Sequence, residues 1–355
     1  MFRLIPILII LFLSSCQFVQ TSPSSNNSLS NGSGAVVTEN LPDYSQFFRD
    51  GRYSIFSINA DGTGLKEIAN YNKERDQISV SPDGRKILYV EYTEDLNKDG
   101  LVNSQDFMSS EIGMMNIDGS EATILVPSPE IDTNPSFSPD GKFIIFSSSR
   151  DTGYRYLNLD LYLLEMGKNE ASRFTETMRE AETNPAWIGN TIIYSNFDIR
   201  STGENAKLVY MDEDGSKTKV LTNPDIPSSD IDHRFGDYDA QISPDGTKIV
   251  FARYLDTLLS HRNLELGDYD LYLTNFDGTE LVNISNNLQA DLNPSFAPDS
   301  TKIVFCRKDE KTSELFLYDL DTKDISQIKI PNWNTLKSHP TFGPEGRIYF
   351  VGERL

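Results

Sequence analysis

One phrase recurs along this chain: a short apolar strand, a tight Pro-Asp-Gly turn and an alternating strand. It reads Ser81-Pro82-Asp83-Gly84, Ser138-Pro139-Asp140-Gly141 and Ser243-Pro244-Asp245-Gly246. Degenerate copies stand at Ala297-Pro298-Asp299-Ser300 and Gly343-Pro344-Glu345-Gly346, and Trp187-Ile188-Gly189-Asn190 takes the place of another. Counted from residue 81, successive copies are 57, 50, 55, 54 and 46 residues apart. A period near fifty with strand-like flanks implies a radial β architecture and not one ordinary sandwich.

A second repeat runs out of phase with the first. Each unit also carries an alternating strand that ends in an Asp-Gly hairpin: Asn59-Ala60-Asp61-Gly62, Asn116-Ile117-Asp118-Gly119, Asp212-Glu213-Asp214-Gly215 and Asn275-Phe276-Asp277-Gly278. Weaker copies are Glu165-Met166-Gly167-Lys168 and Asp319-Leu320-Asp321-Thr322. Glycine supplies the positive φ, and Asn or Asp side chains bond back to the local backbone. Six copies of each turn predict an all-β chain folded as a six-bladed β-propeller of four-stranded blades. The first hairpin precedes any Pro-Asp-Gly unit and the last unit lacks a hairpin of its own. The N-terminal hairpin is therefore expected to complete the C-terminal blade, which removes two open sheet edges. The repeats resemble those of TolB-like propellers over residues 53–355, and the expected propeller domain is 46–355.

Residues 1–15 read as a signal peptide: a short basic start at Arg3, an apolar run over 4–13, then Ser14-Ser15-Cys16. Leu13-Ser14-Ser15-Cys16 is similar to a bacterial lipobox, with Cys16 as the lipidated residue; the plainer alternative is a signal peptide with an incidental cysteine. Gln17 follows, not the Asp that favours inner-membrane retention in enterobacterial lipoproteins. The expected location is the cell envelope, lipid-anchored, at the outer membrane. Residues 16–45 are rich in Ser, Asn, Thr and Gly and read as a solvated tether. TolB itself has an α/β domain ahead of its propeller, for which this reading leaves no room.

Net charge is −21. Such a surface repels nucleic acid and suits cations, basic partners or simple solubility. The only cysteine besides Cys16 is Cys306, in an apolar strand, so no internal disulfide is expected.

An insertion at 93–108 has the spacing of an EF-hand-type calcium loop. Asp95, Asn97 and Asp99 fill positions 1, 3 and 5, and Gly100 falls at the sharp turn. Leu101 offers its carbonyl, Asn103 acts through water, and Asp106 closes the loop where the usual residue is Glu. The wording resembles the calcium loops of dockerin modules. The other reading is an acidic solvated loop. One site without a helix pair to open is expected to be structural.

If the innermost strand of each blade runs into the Pro-Asp-Gly turn, both tight turns lie on one face. The longer connections at 94–110, 151–159, 198–206 and 255–269 lie on the other, which marks it as the binding face. The inner strands begin there with Asp76, Asp132, Asn134, Glu182, Asn184, Asp237, Asp239, Asp291, Asn293 and His339. Arg150, Arg253 and Arg307 close the second strands beside them. These residues form either a channel-mouth site for a peptide segment or small polar ligand, or ion pairs that hold blades together. TolB-like propellers bind partner segments at the channel mouth, and the resemblance implies a cell-envelope protein or peptide partner.

Signals for catalysis are sparse. No Gly-x-Ser-x-Gly elbow occurs, and His233, His261 and His339 fall in different units. The expectation is a binding module and not an enzyme. The alternative is a propeller-fold polysaccharide lyase or hydrolase working at the channel mouth.

Overall fold

The computed structural model describes residues 53–70, 74–96, 98, 102, 104–151, 158–177, 179–199, 205–224, 235–255, 268–309, 312–330, 333 and 335–353. Cys16, the tether and residues 46–52 lie outside them, as do Asn97, Asp99, Leu101 and Asn103 of the inserted loop.

Six four-stranded antiparallel sheets make up the described chain. It begins with a hairpin, β1 (Tyr53–Ile58) and β2 (Lys66–Asn70). Blade one is β3 (Arg75–Val80), β4 (Lys86–Tyr92), β5 (Ser110–Asn116) and β6 (Thr123–Ile124). Blade two is β7 (Asp132–Phe137), β8 (Phe143–Ser148), β9 (Asp160–Glu165) and β10 (Ser172–Arg173). Blade three is β11 (Glu180–Ile188), β12 (Thr191–Asp198), β13 (Lys207–Asp212) and β14 (Lys219–Val220). Blade four is β15 (Gly236–Ile242), β16 (Lys248–Tyr254), β17 (Tyr269–Asn275) and β18 (Val282–Asn283). Blade five is β19 (Ala290–Phe296), β20 (Lys302–Lys308), β21 (Ser313–Asp319) and β22 (Ile325–Gln327). Blade six starts with β23 (Lys337–Phe342) and β24 (Ile348–Glu353), and β1 and β2 complete it.

That closure is the one the repeats predict. Strand β1 pairs with β24 from Tyr53↔Glu353 to Ile58↔Ile348. Arg347 reinforces it by donating to Asn59 Oδ1 (2.8 Å), Ser57 Oγ (3.0 Å) and the carbonyl of Gly64 (2.7 Å). Phe56, Trp333 and Phe350 pack with ring centroids 4.5–5.7 Å apart across the same seam.

The turns form as their residues dictate. In the first Pro-Asp-Gly turn Ser81 Oγ donates to Asp83 Oδ1, which also accepts the N–H of Arg85, while Gly84 takes φ +69°. The odd copy in blade three is a tighter hairpin, with Ile188 paired to Thr191 across Gly189 and Asn190. Second strands read as continuous apolar runs because both faces of a blade are covered by its neighbours. Ile249, Val250, Phe251 and Ala252 of β16 are all fully buried.

Each inner strand carries a bulge at the same offset, four residues before the turn. Register with the second strand shifts between Asp76/Ser79, Thr133/Ser136, Thr183/Ala186, Tyr238/Gln241, Leu292/Ser295 and Ser338/Thr341. Four of these bulges hold a proline: Pro135, Pro185, Pro294 and Pro340. A proline is tolerated here because the inner strand is a sheet edge and the bulge needs no ladder N–H.

Candidate functional site

The bulges place six side chains on the channel. Gln77, Asn134, Asn184, Asp239, Asn293 and His339 all sit in the left-handed region, at φ +47° to +53°, and all line one cavity of about 120 Å³. Asn and Asp tolerate that conformation better than most residues, so the recurrence of Asn at three of six places follows from the backbone. Because all six bulges share it, the six side chains form one ring.

The ring is tied across blades. Gln77 Oε1 accepts from Thr133 Oγ1 and from the N–H of Asn134, each at 2.7 Å. Asp239 accepts Asn184 Nδ2 on one oxygen (2.5 Å) and Asn293 Nδ2 on the other (3.1 Å). His339 differs: the residue is 8% exposed, and neither imidazole nitrogen has a hydrogen-bond partner among the described residues. Burial lowers its pKa to about 3, so the ring is neutral imidazole at ordinary pH.

Two residues earlier on the same strands lies a layer of charges with another character. Arg253 donates to Asp237 through Nε (2.6 Å) and Nη2 (2.9 Å), and Arg307 grips Asp291 likewise at 2.7 and 2.9 Å. Arg150 holds Asp132 at 3.1 and 2.5 Å. The three carboxylates are 0–1% exposed, and each arginine also stands over an aromatic ring of its own blade: Phe146 (5.7 Å), Tyr272 (4.5 Å) and Phe316 (4.6 Å). Asp237 and Asp291 face their arginines directly in the β15–β16 and β19–β20 registers. Blade one has the same pair with its signs reversed, Arg75 with Glu91. Burial raises the pKa of Asp132, Asp237 and Asp291, and the adjacent guanidiniums pull against it.

The expected crowd of four like charges on the axis does not form. Of Asp132, Glu182, Asp239 and Asp291, only Asp239 lines the channel. The others stand two residues ahead of the bulge residue, buried and off the channel wall. Glu182 is buried, accepts from Thr175 Oγ1, and is pushed up to about 7 by burial. Asp76 is buried too and accepts from Tyr92 Oη at 3.4 Å. Two residues outside the candidate site residues matter here, one of them in the inner-strand entry Arg75-Asp76-Gln77. Gln77 completes the ring, and its offset of four from Ser81 was the available signal. Glu111 on β5, beside Asp132 and Arg150, is raised to about 8 by burial and has no motif to announce it.

The channel changes character along its axis. Toward the tight turns it opens into an apolar funnel of about 370 Å³, lined by Phe137, Trp187, Ile242, Phe296 and Phe342 with the turn prolines around them. The loop lengths point instead to the opposite face as the binding face.

Two positions of the loop expected to hold calcium, Asp95 and Asp106, fall among the described residues. Asp106 sits in a 3-10 turn, Ser104–Ser109, 1% exposed. Its Oδ1 accepts the N–H of Leu96 at 2.8 Å, which folds the twelfth position back beside the first, Asp95. Ser109 seals the stem by donating to the carbonyl of Asp106 (2.9 Å) and accepting the N–H groups of Thr93 and Glu94. Cys306 is a buried thiol on β20 that donates to Asn293 Oδ1 of the ring at 3.7 Å.

No protein-family profile matches the chain. A stretch of 56 residues, 16% of the chain, is 39% identical to a protein TolB homolog of Chlorobium luteolum and spans 13% of that protein. Among solved structures, a putative TolB from Agrobacterium tumefaciens superposes with a TM-score of 0.62 at 17% identity, over 86% of this chain and 99% of the other. TolB from Acinetobacter baumannii does so at 0.55 and 15% identity, over 87% of this chain and 65% of the other. The chain is a TolB-like six-bladed propeller in fold.

Proposed function

We propose that this chain is a cell-envelope binding module that captures a segment of a partner protein in its propeller channel. The observation that carries the reading is His339, nine-tenths buried in the channel wall with both nitrogens unsatisfied. A buried polar group left without a partner costs about 1–3 kcal/mol. A ligand that supplies one recovers that cost. The TolB-like fold and the amide-rich ring support the same reading.

A photoreactive residue at Leu288, 82% exposed just ahead of β19, tests it. Irradiated cells should yield a discrete adduct with an envelope protein, lost when Asn134→Trp plugs the channel. An adduct indifferent to the plug would overturn channel capture. The lyase or hydrolase alternative requires turnover of an acidic polysaccharide by the purified chain.

Two features complete the proposal. Cys16 carries the lipid anchor, so Cys16→Ser should release the protein or leave an uncleaved precursor. The loop Asp95, Asn97, Asp99, Leu101, Asn103 and Asp106 holds calcium as a staple. The fit rests on the buried Asp106 carboxylate closing on the loop's first residues. At one hundred times the dissociation constant, calcium should add about 2.7 kcal/mol of stability. Asp95→Ala with Asp99→Ala should remove that increment and leave the propeller folded.

A further inference from the structure

We infer that the channel ring takes a guanidinium group, presented by an arginine of the captured segment; this rests on the channel capture proposed above. Size is the first argument. A void of about 120 Å³ is several times the roughly 10–15 Å³ that one water needs on the same measure, so it admits a group of four non-hydrogen atoms such as a guanidinium.

Charge is the second argument. Among the described residues that line the cavity, Asp239 and His339 are the only ionisable ones, and no lysine or arginine is present. Three arginines of the neighbouring layer are committed to Asp132, Asp237 and Asp291. Burial keeps the imidazole uncharged, so it cannot serve as the cation. An anionic group would meet a carboxylate there; a cation would meet a carboxylate, a lone pair and amide oxygens.

Geometry is the third. A neutral imidazole has one acceptor nitrogen, and that of His339, buried in the cavity wall, receives no donor among the described residues. A planar guanidinium carries five N–H donors in a fixed fork and reaches several acceptors at once, which a compact ammonium does not. The acceptors are already held in place. Left-handed backbone fixes each ring residue, and inter-blade bonds orient Gln77, Asn184, Asp239 and Asn293. Such preorganisation lowers the ordering cost of binding.

The probe is N-acetyl-arginine amide, titrated into the folded chain by calorimetry and by the imidazole resonances of His339. Its control is N-acetyl-citrulline amide, the uncharged near-isostere. Arginine amide should bind at millimolar concentration or tighter and shift His339, and citrulline amide should bind at least tenfold more weakly. Asp239→Asn should weaken arginine binding at least tenfold, and Asn134→Trp should abolish it. Equal binding of the two probes, binding that survives Asp239→Asn, or no binding at 10 mM would each overturn the inference. If the cross-linked partner is retained by the open channel while arginine amide fails to bind, this inference falls and channel capture stands. If arginine amide binds but the adduct ignores the plug, channel capture falls and the ring is a small-molecule guanidinium site.

Discussion

Asp237 and Asp239 are two residues apart on one strand and do different work. Asp237 is fully buried against Arg253, which is itself stacked on Tyr272; Asp239 stands in the bulge and lines the channel. In an unbroken strand both would share a face. The bulge separates them, giving the first to the blade and the second to the axis. Acidity at the start of an inner strand is therefore no sign of a site by itself. What decides is whether the carboxylate falls at the bulge, as Asp239 does, or two residues before it, as Asp132, Glu182, Asp237 and Asp291 do.

The comparison breaks most visibly at the arginine. Arg253→Ala leaves Asp237 buried and uncompensated and should cost about 3–5 kcal/mol in urea unfolding. Replacing both, Asp237→Leu with Arg253→Leu, should come within about 1 kcal/mol of the parent, because packing can replace a buried pair. Equal losses in the single and double variants would mean that the charges do more than fill the blade.

A smaller effect comes from Glu182, which stands two residues before its bulge as Asp237 does but has no arginine in register; its opposite number is Asn196. Burial raises it from 4.5 to about 7, so the folded chain holds that proton more tightly than the unfolded one. Its contribution is fullest below about pH 4.5 and is lost as pH rises to about 7. Glu182→Gln should flatten this slope and add stability of the order of 2 kcal/mol at pH 8. Unfolding midpoints from pH 4 to pH 8 check it, and parallel curves for the two chains would contradict the assignment.

Asp239→Asn should have the smallest effect on the fold, about 1 kcal/mol, since it weakens one of two amide contacts. A loss as large as that of Arg253→Ala would place Asp239 with the scaffold.

Much of this architecture was legible in the sequence because turns are written locally. Serine, proline, aspartate and glycine at fixed offsets report a backbone path, and the missing last hairpin predicts how the ring closes. The site was only half legible. Asn134, Asn184, Asp239, Asn293 and His339 were named along with Asp132, Asp237 and Asp291, and nothing in the strand-start wording sorts the two groups. The sorting comes from the bulge, which follows from Asn-Pro in blades two, three and five but is unmarked at Gln77-Ile78 and Asp239-Ala240. Burial of Glu111 depends on contacts among β5, the segment at Ser128 and Asp132, which no local pattern encodes.

The most direct measurement is adduct yield from the photoreactive residue at position 288 in two folded chains. One carries Asp237→Leu with Arg253→Leu, which removes a scaffold charge pair; the other carries Asp239→Asn, which alters the ring. Yield should be unchanged in the first and lost in the second. A yield that falls with the scaffold pair and survives the ring substitution would contradict the division between the two layers.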